Sequence, residues 1–582
     1  AFAASRADPP GLLTAAAQAA APRAREFSAQ GLANLLWSCA RLPVKHQPLL
    51  AAAGSALVRL EAWEPQDVSN VAWAVAVLPG PADRTLWRSL EGAARARLPQ
   101  FQQQHLAGVA WSLATLRRRD GGLLPEIAGE AAARAREFQP RGLSNLLWAF
   151  AACGFEGQGS LHALAQDSAA KLSEFSPQAL ANVAWACAPL GAHEEGLLPG
   201  LAREAVARVQ ELALKDLANL AWAFATLGRP EAEDLCPSLA GELEARLAAS
   251  APALCAESAV SVVSVVWALG FAGVPHGRLL LLARERLLQV GQGLDDQRTS
   301  GGGALADHAC GAGRIGLPAT PHVALDLPDR MVVHKSPGFH VDQGGAREAE
   351  GARTHRLSGC LEAWLPPRRW PIVRDVEHQR GILHRLDAPS SGLLLVAKTY
   401  AAHYDLLLQL SSGRVLRDYL VLCRGWVAHE RSRVEARLLW STEEDSPSAV
   451  SDRGKPSLTS LRVLAHCLRQ GEAFSLVAIR IATGRRHQIR TALSHIGHPV
   501  ACDGKYSAPA AFQADRPWCP RNALHRYGLR FRDSRGEERE ATAPLPADLR
   551  VALGQLSPRD AQSAEALKRW QHGVEFLDWP AL

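Results

Sequence analysis

Residues 381–399 read GILHRLDAPSSGLLLVAKT, in which a short polar loop, His384-Arg385-Leu386-Asp387, stands just before Ser391-Gly392 and the apolar run Leu393–Ala397. Such a loop presents one carboxylate and one guanidinium at the mouth of a sheet. A carboxylate so placed can serve as a nucleophile or a proton acceptor. Taken alone, however, an Asp beside an Arg is usually a surface ion pair, worth about 0–1 kcal/mol. A second polar stretch, ATGRRHQIRTALSHIGHPVACDGKY (482–506), adds Arg485, Arg486, His487, Arg490, His495 and His498. The spacing of its histidines is poor for a metal site, so structural or substrate-facing roles are expected, with no metal. Arg485 and Arg486 suit phosphate contacts, a solvated surface pair being the alternative. No G-x-G-x-x-G or G-x-x-x-x-G-K-[ST] loop occurs, and no nucleotide cofactor is expected.

The elements that must position these residues are short β-rich runs. Candidate strands are Met331–His334, Gly392–Ala397, Tyr419–Cys423, Phe474–Ile481 and Leu524–Phe531, with turns and a few helices between them. That is an α+β pattern without regular βαβ alternation.

The first half of the chain is organised differently. Tryptophans fall at 37, 73, 111, 148, 185, 222 and 267, within recurring text such as GLANLLWSCARL, GLSNLLWAFAAC and DLANLAWAFATL. Apolar residues stand five and two before each Trp and, in most units, Ala stands three after it. Leu32, Leu35, Trp37 and Ala40 show this spacing, which lays a stripe on one helix face. A second one-sided helix precedes the next Trp, as in LLPEIAGEAAARAREF (123–138). Two helices per unit cannot bury both faces alone, so an all-α solenoid of two-helix repeats is expected over 11–290, about seven units of ~37 residues. Asn34, Asn70, Asn145, Asn182 and Asn219 each stand three before the Trp; a hydrogen bond tying adjacent repeats is their expected role, direct RNA contact the alternative. The tryptophans are read as core. Residues 291–321, with GQG, TSGGGA and GAGRIG, read as a Gly-rich flexible linker, 322–552 as the chemical domain and 553–582 as a C-terminal tail.

Composition bounds the rest. The chain has 582 residues, 47% hydrophobic and 21% charged, which excludes a disordered or collagen-like chain. Sixty-four Lys and Arg against 58 acids leave a net charge of +6, so a polyanion-binding surface must come from local clustering. The longest apolar runs stop short of a ~20-residue span, and no membrane partner is expected. Eleven scattered cysteines without a C-x-x-C pair suit a reducing compartment. The only Met is Met331, so a fragment or processed product is expected.

The segment HRLDAPSSGLLLVAK (384–398) closely resembles the signature of the RluA class of RNA pseudouridine synthases. MVVHKSPGFHV (331–341), RDYLVLCRG (417–425), GKPSLTSLRVL (454–464), the 482–506 stretch and LHRYGLRF (524–531) resemble the class's further motifs, in the same order over about residues 325–550. The resemblance implies a C-terminal pseudouridine synthase fold with a mainly antiparallel sheet, isomerising uridine to pseudouridine in RNA, with ribosomal or transfer RNA as the expected partner and no cofactor. It assigns Asp387 as the essential carboxylate, acting as nucleophile or in an elimination to a glycal-type intermediate. It also assigns Arg490 as the cation holding that charge, Tyr419 as the uracil-stacking residue and candidate for C5 proton transfer, and Arg385 as the side chain that fills the gap left by the flipped base. Arg485, Arg486 and His487 complete the expected RNA-binding set. Three departures stand out: Ser390 where Thr is usual, Arg417 where Lys is usual, and Ala501-Cys502 where Val/Ile-Gly is common.

The repeats resemble the octotricopeptide and heptatricopeptide arrays of organellar RNA-binding proteins. That implies an RNA-holding role, an organellar transcript among the partners, and a mitochondrial or chloroplast location. A protein-docking scaffold is the alternative for the repeats, and a non-catalytic organellar RNA-maturation factor the alternative for the whole chain.

Overall fold

The computed structural model describes residues 11–42, 46–57, 63–78, 84–118, 122–191, 196–228, 230–249, 254–299, 320–341, 355–440, 446–573 and 576–579. The chain divides into two compact units, residues 1–242 and 243–582.

The first unit is all-helical. Trp-bearing helices Ala29–Arg41, Pro65–Val77, Gln103–Thr115, Pro140–Cys153, Pro177–Leu190 and Leu214–Leu227 alternate with partners such as Leu123–Ala133 and Leu197–Ala207. Five of these six Trp helices start where a polar side chain bonds a free backbone N–H, Pro140–Cys153 being the exception. Ser28 and Ser176 accept from Gly31 N and Ala179 N at 3.2 Å. Asp67 and Asp216 instead reach back to the N–H of Glu64 and Ala213. Leu32, Leu36, Cys39 and Ala40 are buried in the first such helix, while Leu35 and Trp37 are half-buried.

The tryptophans depart from the core role read in the sequence. Trp37, Trp73, Trp111, Trp148, Trp185 and Trp222 are all half-buried. Ring centroids are 6.3 Å apart for Trp37–Trp73 and Trp111–Trp148, 6.5 Å for Trp148–Trp185 and 6.1 Å for Trp185–Trp222. Successive rings thus lie side by side, Trp37 with Trp73 and Trp111 through Trp222 in a row, while Trp63 and Trp87 are the fully buried indoles of this unit. Among the described residues, the side-chain ties between repeats come from positions other than the asparagines. Arg134 donates to Phe101 O at 2.9 Å, Lys171 to Phe138 O at 2.9 Å and Arg208 to Phe175 O at 2.7 Å. Asn70 bonds to Gln66 in its own helix.

The second unit is built on one mixed sheet. Its strands are β1 (His322–Asp326), β2 (Arg330–Lys335), β3 (Ser391–Ala397), β4 (Leu416–Arg424), β5 (Arg433–Leu439), β6 (Ala449–Val450), β7 (Lys455–Arg469), β8 (Glu472–Ile481), β9 (Leu524–Arg532), β10 (Glu538–Thr542) and β11 (Ser557–Pro558). The order is β1-β2-β3-β9-β4-β8-β7-β5-β6, with β10 on β9 and β11 on β7. Only β3 and β9 pair in parallel, among the described residues. All five strands read in the sequence are present. The central strands alternate between two apolar layers: Tyr419, Val421, Val477 and Ile479 face one, and Leu420, Leu422 and Leu476 the other.

Six helices of this unit are named here: α1 (Ala256–Phe271), α2 (Gly277–Thr299), α3 (Tyr400–Ser411), α4 (Gln488–His495), α5 (Ala547–Gly554) and α6 (Ala561–His572). Two differ from the sequence reading of 291–321 as linker and 553–582 as tail. Residues 291–299 continue α2, which packs on α3. A Cβ on Gly291 would overlap the backbone of Ala401, so this glycine marks a helix–helix crossing and not a flexible joint. Asp295 then caps α3, accepting from Tyr400 N at 2.9 Å and Ala401 N at 3.1 Å. Arg284 pairs with Asp405 at 2.7 Å and Arg298 with Asp375 at 2.6 Å. Residues 300–319, the rest of the expected linker apart from 320 and 321, lie outside the described residues. At the other end, α6 buries Leu567 and Trp570, whose ring meets Tyr527 of β9 at 4.9 Å.

Replacing Gly291 by Leu is therefore expected to lower the stability of the C-terminal unit by about 1–3 kcal/mol or more, the usual cost of overpacking. Urea unfolding followed through the sheet's far-UV signal would read it. A freely moving linker would show no change.

Candidate active site

Asp387 lies in the loop that enters β3, and the loop is held from several sides. Lys335, fully buried at the end of β2, donates to the carbonyls of Ser336, Phe339 and Ala388 at 3.0–3.1 Å. Burial and nearby Arg521 push that lysine down to about 7, with Asp387 pulling the other way. Arg521 donates to Pro389 O at 3.1 Å and Ser391 Oγ at 2.9 Å, and Asn522 donates to Ser390 Oγ at 3.2 Å. Ser390 thus keeps the hydroxyl function of the usual Thr. Gly392 has φ 126°, and a Cβ there would overlap the Arg526 backbone. Only glycine lets β3 and β9 meet in parallel at this point.

The opposite side comes from α4. His487 adopts a left-handed φ of 55° and starts the helix, whose first turn carries Arg490. Arg490 Nη1 donates to Asp387 Oδ2 at 2.7 Å, while its Nε and Nη2 grip both oxygens of Asp503 at 2.6 and 2.7 Å. The Tyr506 ring lies against the guanidinium, 4.9 Å from centroid to Cζ. Burial by itself would raise the Asp387 carboxyl, but Arg490, joined by His487 and Arg385, holds the group below the usual carboxylate range. His487 lies 3.8 Å from Asp387 Oδ1 and bonds to Tyr506 Oη at 2.9 Å. Burial pushes His487 down to about 4 against the pull of Asp387, so at neutral pH it is uncharged and Arg490 supplies the positive charge.

Tyr419 sits in the middle of β4, 3% exposed. Arg526 of β9 donates to its hydroxyl oxygen and lies over its ring, 4.8 Å from the centroid. The same guanidinium donates to His384 Nδ1 at 2.6 Å and Leu393 O at 2.9 Å, tying Tyr419 to the loop of Asp387. Burial, then the charge of Arg526, keeps His384 well below its ordinary range, so the ring accepts. Arg417 is buried and donates to Ala482 O at 3.1 Å; burial pushes it down to about 10.

Asp387, Tyr419, Arg490, Arg385, Arg485, Arg486 and His487 all line one cleft of about 290 Å³. Arg385 is exposed at its rim. His498 points elsewhere, bonding to Arg424 O at 2.9 Å. Among the described residues no three His, Cys, Asp or Glu side chains converge as metal ligands, and no helix is long and apolar enough to cross a membrane. Four residues escaped the sequence reading of the site: Asp503, Arg526, Lys335 and Trp267, the last from α1. The first three stand inside motifs read there; Asp503 meets Arg490 of its own stretch, whereas Arg526 reaches Tyr419 and the Asp387 loop from distant segments.

Comparison with known proteins agrees with this geometry. A family model described as RNA pseudouridylate synthase matches residues 329–495. An uncharacterized RNA pseudouridine synthase of Bacillus subtilis, YlyB, is 32% identical over 40% of this chain and 69% of its own length. Ribosomal large subunit pseudouridine synthase D of Vibrio vulnificus is 32% identical over 41% of this chain and 71% of its own. Ribosomal large subunit pseudouridine synthase C of Haemophilus ducreyi is 37% identical over 40% and 69%. A site of one carboxylate, one tyrosine and a surplus of arginines on a mixed sheet is that of an RNA-modifying isomerase. The chain belongs to the RNA pseudouridine synthases.

Because Arg490 leads the groups that hold Asp387 down against burial, Arg490→Gln should move the acidic limb of the rate profile to higher pH. It should also cost about 3–5 kcal/mol of stability by leaving Asp503 buried and unpaired. Rate against pH from 4 to 8, with a thermal melt of the same sample, checks both.

Proposed function

We propose that this synthase modifies uridines of large-subunit ribosomal RNA, with Asp387 as the reacting carboxylate and the helical repeats holding the RNA. The observation that carries the catalytic assignment is the single bond from Arg490 to Asp387, which leaves Oδ1 uncommitted while Asp503 takes the other side of the guanidinium. In the nucleophilic form, Oδ1 attacks C1′ as the C1′–N1 bond breaks and its electron pair stays on the uracil. The base turns, C5 bonds to C1′ as the carboxylate leaves, and the C5 proton is lost while N1 gains one. In the elimination form, the carboxylate instead removes the C2′ proton as the C1′–N1 bond breaks and its electron pair stays on the uracil. C5 then bonds to C1′ of the glycal as that proton returns to C2′, and the C5 proton is lost while N1 gains one. Both forms need an ionised Asp387 in a site that excludes water. Tyr419 offers its ring to the uracil and is the candidate for C5 proton transfer. Arg385, at the rim, is the side chain that can occupy the gap in the RNA stack, which costs a few kcal/mol to open. Arg485, Arg486 and His487 take the flanking strand.

Ribosomal RNA is favoured because two of the relatives above carry that substrate in their names. For the repeats, the support is the seam of half-buried tryptophans, with Asn70, Asn145, Asn182 and Asn219 half-buried one helical turn away. Aromatic faces beside amide groups suit single-stranded RNA.

Tritium release from RNA transcribed with [5-³H]uridine tests the chemistry. Wild type should release it from a large-subunit ribosomal transcript, of bacterial, mitochondrial or chloroplast type, and Asp387→Asn should fall below about a thousandth of that rate. Release from transfer RNA alone would overturn the substrate, and no release from any pool the activity assignment. For the repeats, the triple variant Asn145→Ala, Asn182→Ala, Asn219→Ala should bind the transcript about tenfold more weakly in filter binding, at about 1 kcal/mol or less per lost amide contact. A protein-docking scaffold would leave RNA affinity and its salt dependence where they were.

A further inference from the structure

The cleft has one wall that the pseudouridine synthase motifs do not supply. Trp267, on α1, lines it together with Arg385, Asp387 and Arg485. The ring packs on Phe271 with centroids 5.2 Å apart, and the Arg485 guanidinium lies 5.2 Å from the ring centroid. Arg485 is otherwise weakly held. Its Nε donates to Pro456 O at 3.3 Å, its Nη2 is buried without a hydrogen-bond partner, and no carboxylate pairs with it among the described residues. A carboxylate clamp would fix a guanidinium by using up its donors and its charge. An aromatic face fixes it and leaves both available. The hairpin that carries the tryptophan is tied to α3 through α2, by Asp295, by Arg284 and by Arg298, which donates to Tyr400 Oη at 2.7 Å.

We propose that Trp267 is a positioning residue of the active site. It holds Arg485 as the receptor for a backbone phosphate of the RNA next to the target uridine, so that the α1–α2 hairpin is part of the catalytic unit. This rests on the RNA-contact role proposed above for Arg485. A guanidinium with an open donor and no counter-ion, beside the reacting carboxylate, has a complement in the anion that every RNA substrate brings.

The test uses the full chain, the ribosomal transcript and the tritium assay, with four proteins besides wild type: Trp267→Leu, Trp267→Phe, Arg485→Gln and the Trp267→Leu/Arg485→Gln double. Leucine keeps apolar contact with Phe271 but offers no π face. Trp267→Leu should raise KM about tenfold, in the range of a lost charge-assisted bond, and change kcat much less. It should also flatten the log–log salt dependence by somewhat less than one unit, the share of one phosphate contact. Arg485→Gln should do the same, the double variant should be no worse than either single, and Trp267→Phe should recover most of the loss. Three results overturn the inference: a wild-type KM and salt slope in Trp267→Leu, multiplicative losses in the double variant, or equal losses in the Leu and Phe variants, which mark mere packing. An inactive wild type would defeat the activity reading itself and this inference with it.

Discussion

Arg490 is one cation between two carboxylates, and the site is arranged around the inequality of that sharing. Asp503 is fully buried and bound through both oxygens; Asp387 is reached through one and is partly open to the cleft. Burying such a group is favourable only when geometry is good and the remaining polar atoms are satisfied. That requirement explains the backbone on either side. His487 and Cys502 both take left-handed φ values, 55° and 54°, at the start of α4 and just before Asp503. Such conformations cost energy at non-glycine residues and persist where the surroundings enforce them. Cys502 thus holds a conformation that glycine adopts freely, and its N–H is taken by Asp515 at 3.0 Å.

The sheet turns this pair into a site by bringing distant segments to one edge of the cleft. The parallel β3–β9 contact lets Arg526 reach both Tyr419 and the backbone of the Asp387 loop, so one guanidinium sets the spacing between the ring and the carboxylate. On the far side of β3, α3 receives the α1–α2 hairpin through a capping carboxylate, the Arg284–Asp405 ion pair and a bond from Arg298 to Tyr400 Oη. The helices that resemble the last repeat thereby share one compact unit with the synthase sheet.

The sequence was most legible where chemistry and periodicity are local. The strands around Tyr419 and Leu393 follow from their apolar alternation, and the Asp387 loop from its motif. What stayed hidden depends on partners far apart in the chain. Gly291 sits in GQG, which composition alone reads as a linker; its role is visible only once Ala401 lies against it. Residues 561–572 look polar because α6 buries only one narrow face, through Leu567 and Trp570. The tryptophan period revealed the repeats but not the depth of the rings, since the apolar stripe and the ring seam are neighbouring faces of the same helix. The asparagines invited a structural role that Arg134, Lys171 and Arg208 fill, at the equally regular but less conspicuous spacing of the partner helices.

Charge balance inside the cleft gives this arrangement its direction. Arg417, Arg485 and Arg526 line it, and none has a carboxylate within ion-pair distance among the described residues. Burial pushes Arg417 and Arg485 each down to about 10, so both stay charged at neutral pH while losing much of their hydration. Elsewhere in the same unit buried arginines are matched: Arg480 takes both oxygens of Asp418 at 2.7 Å, and Arg330 pairs with Asp405 at 2.8 Å. The fold can therefore neutralise a buried guanidinium, and at the cleft it does not. A site left short of anions is destabilised until a polyanion enters. Phosphates that supply the missing charge then gain more from each contact than they would on a solvated surface. With a net charge of only +6 over the whole chain, attraction for RNA is concentrated where the uridine must arrive.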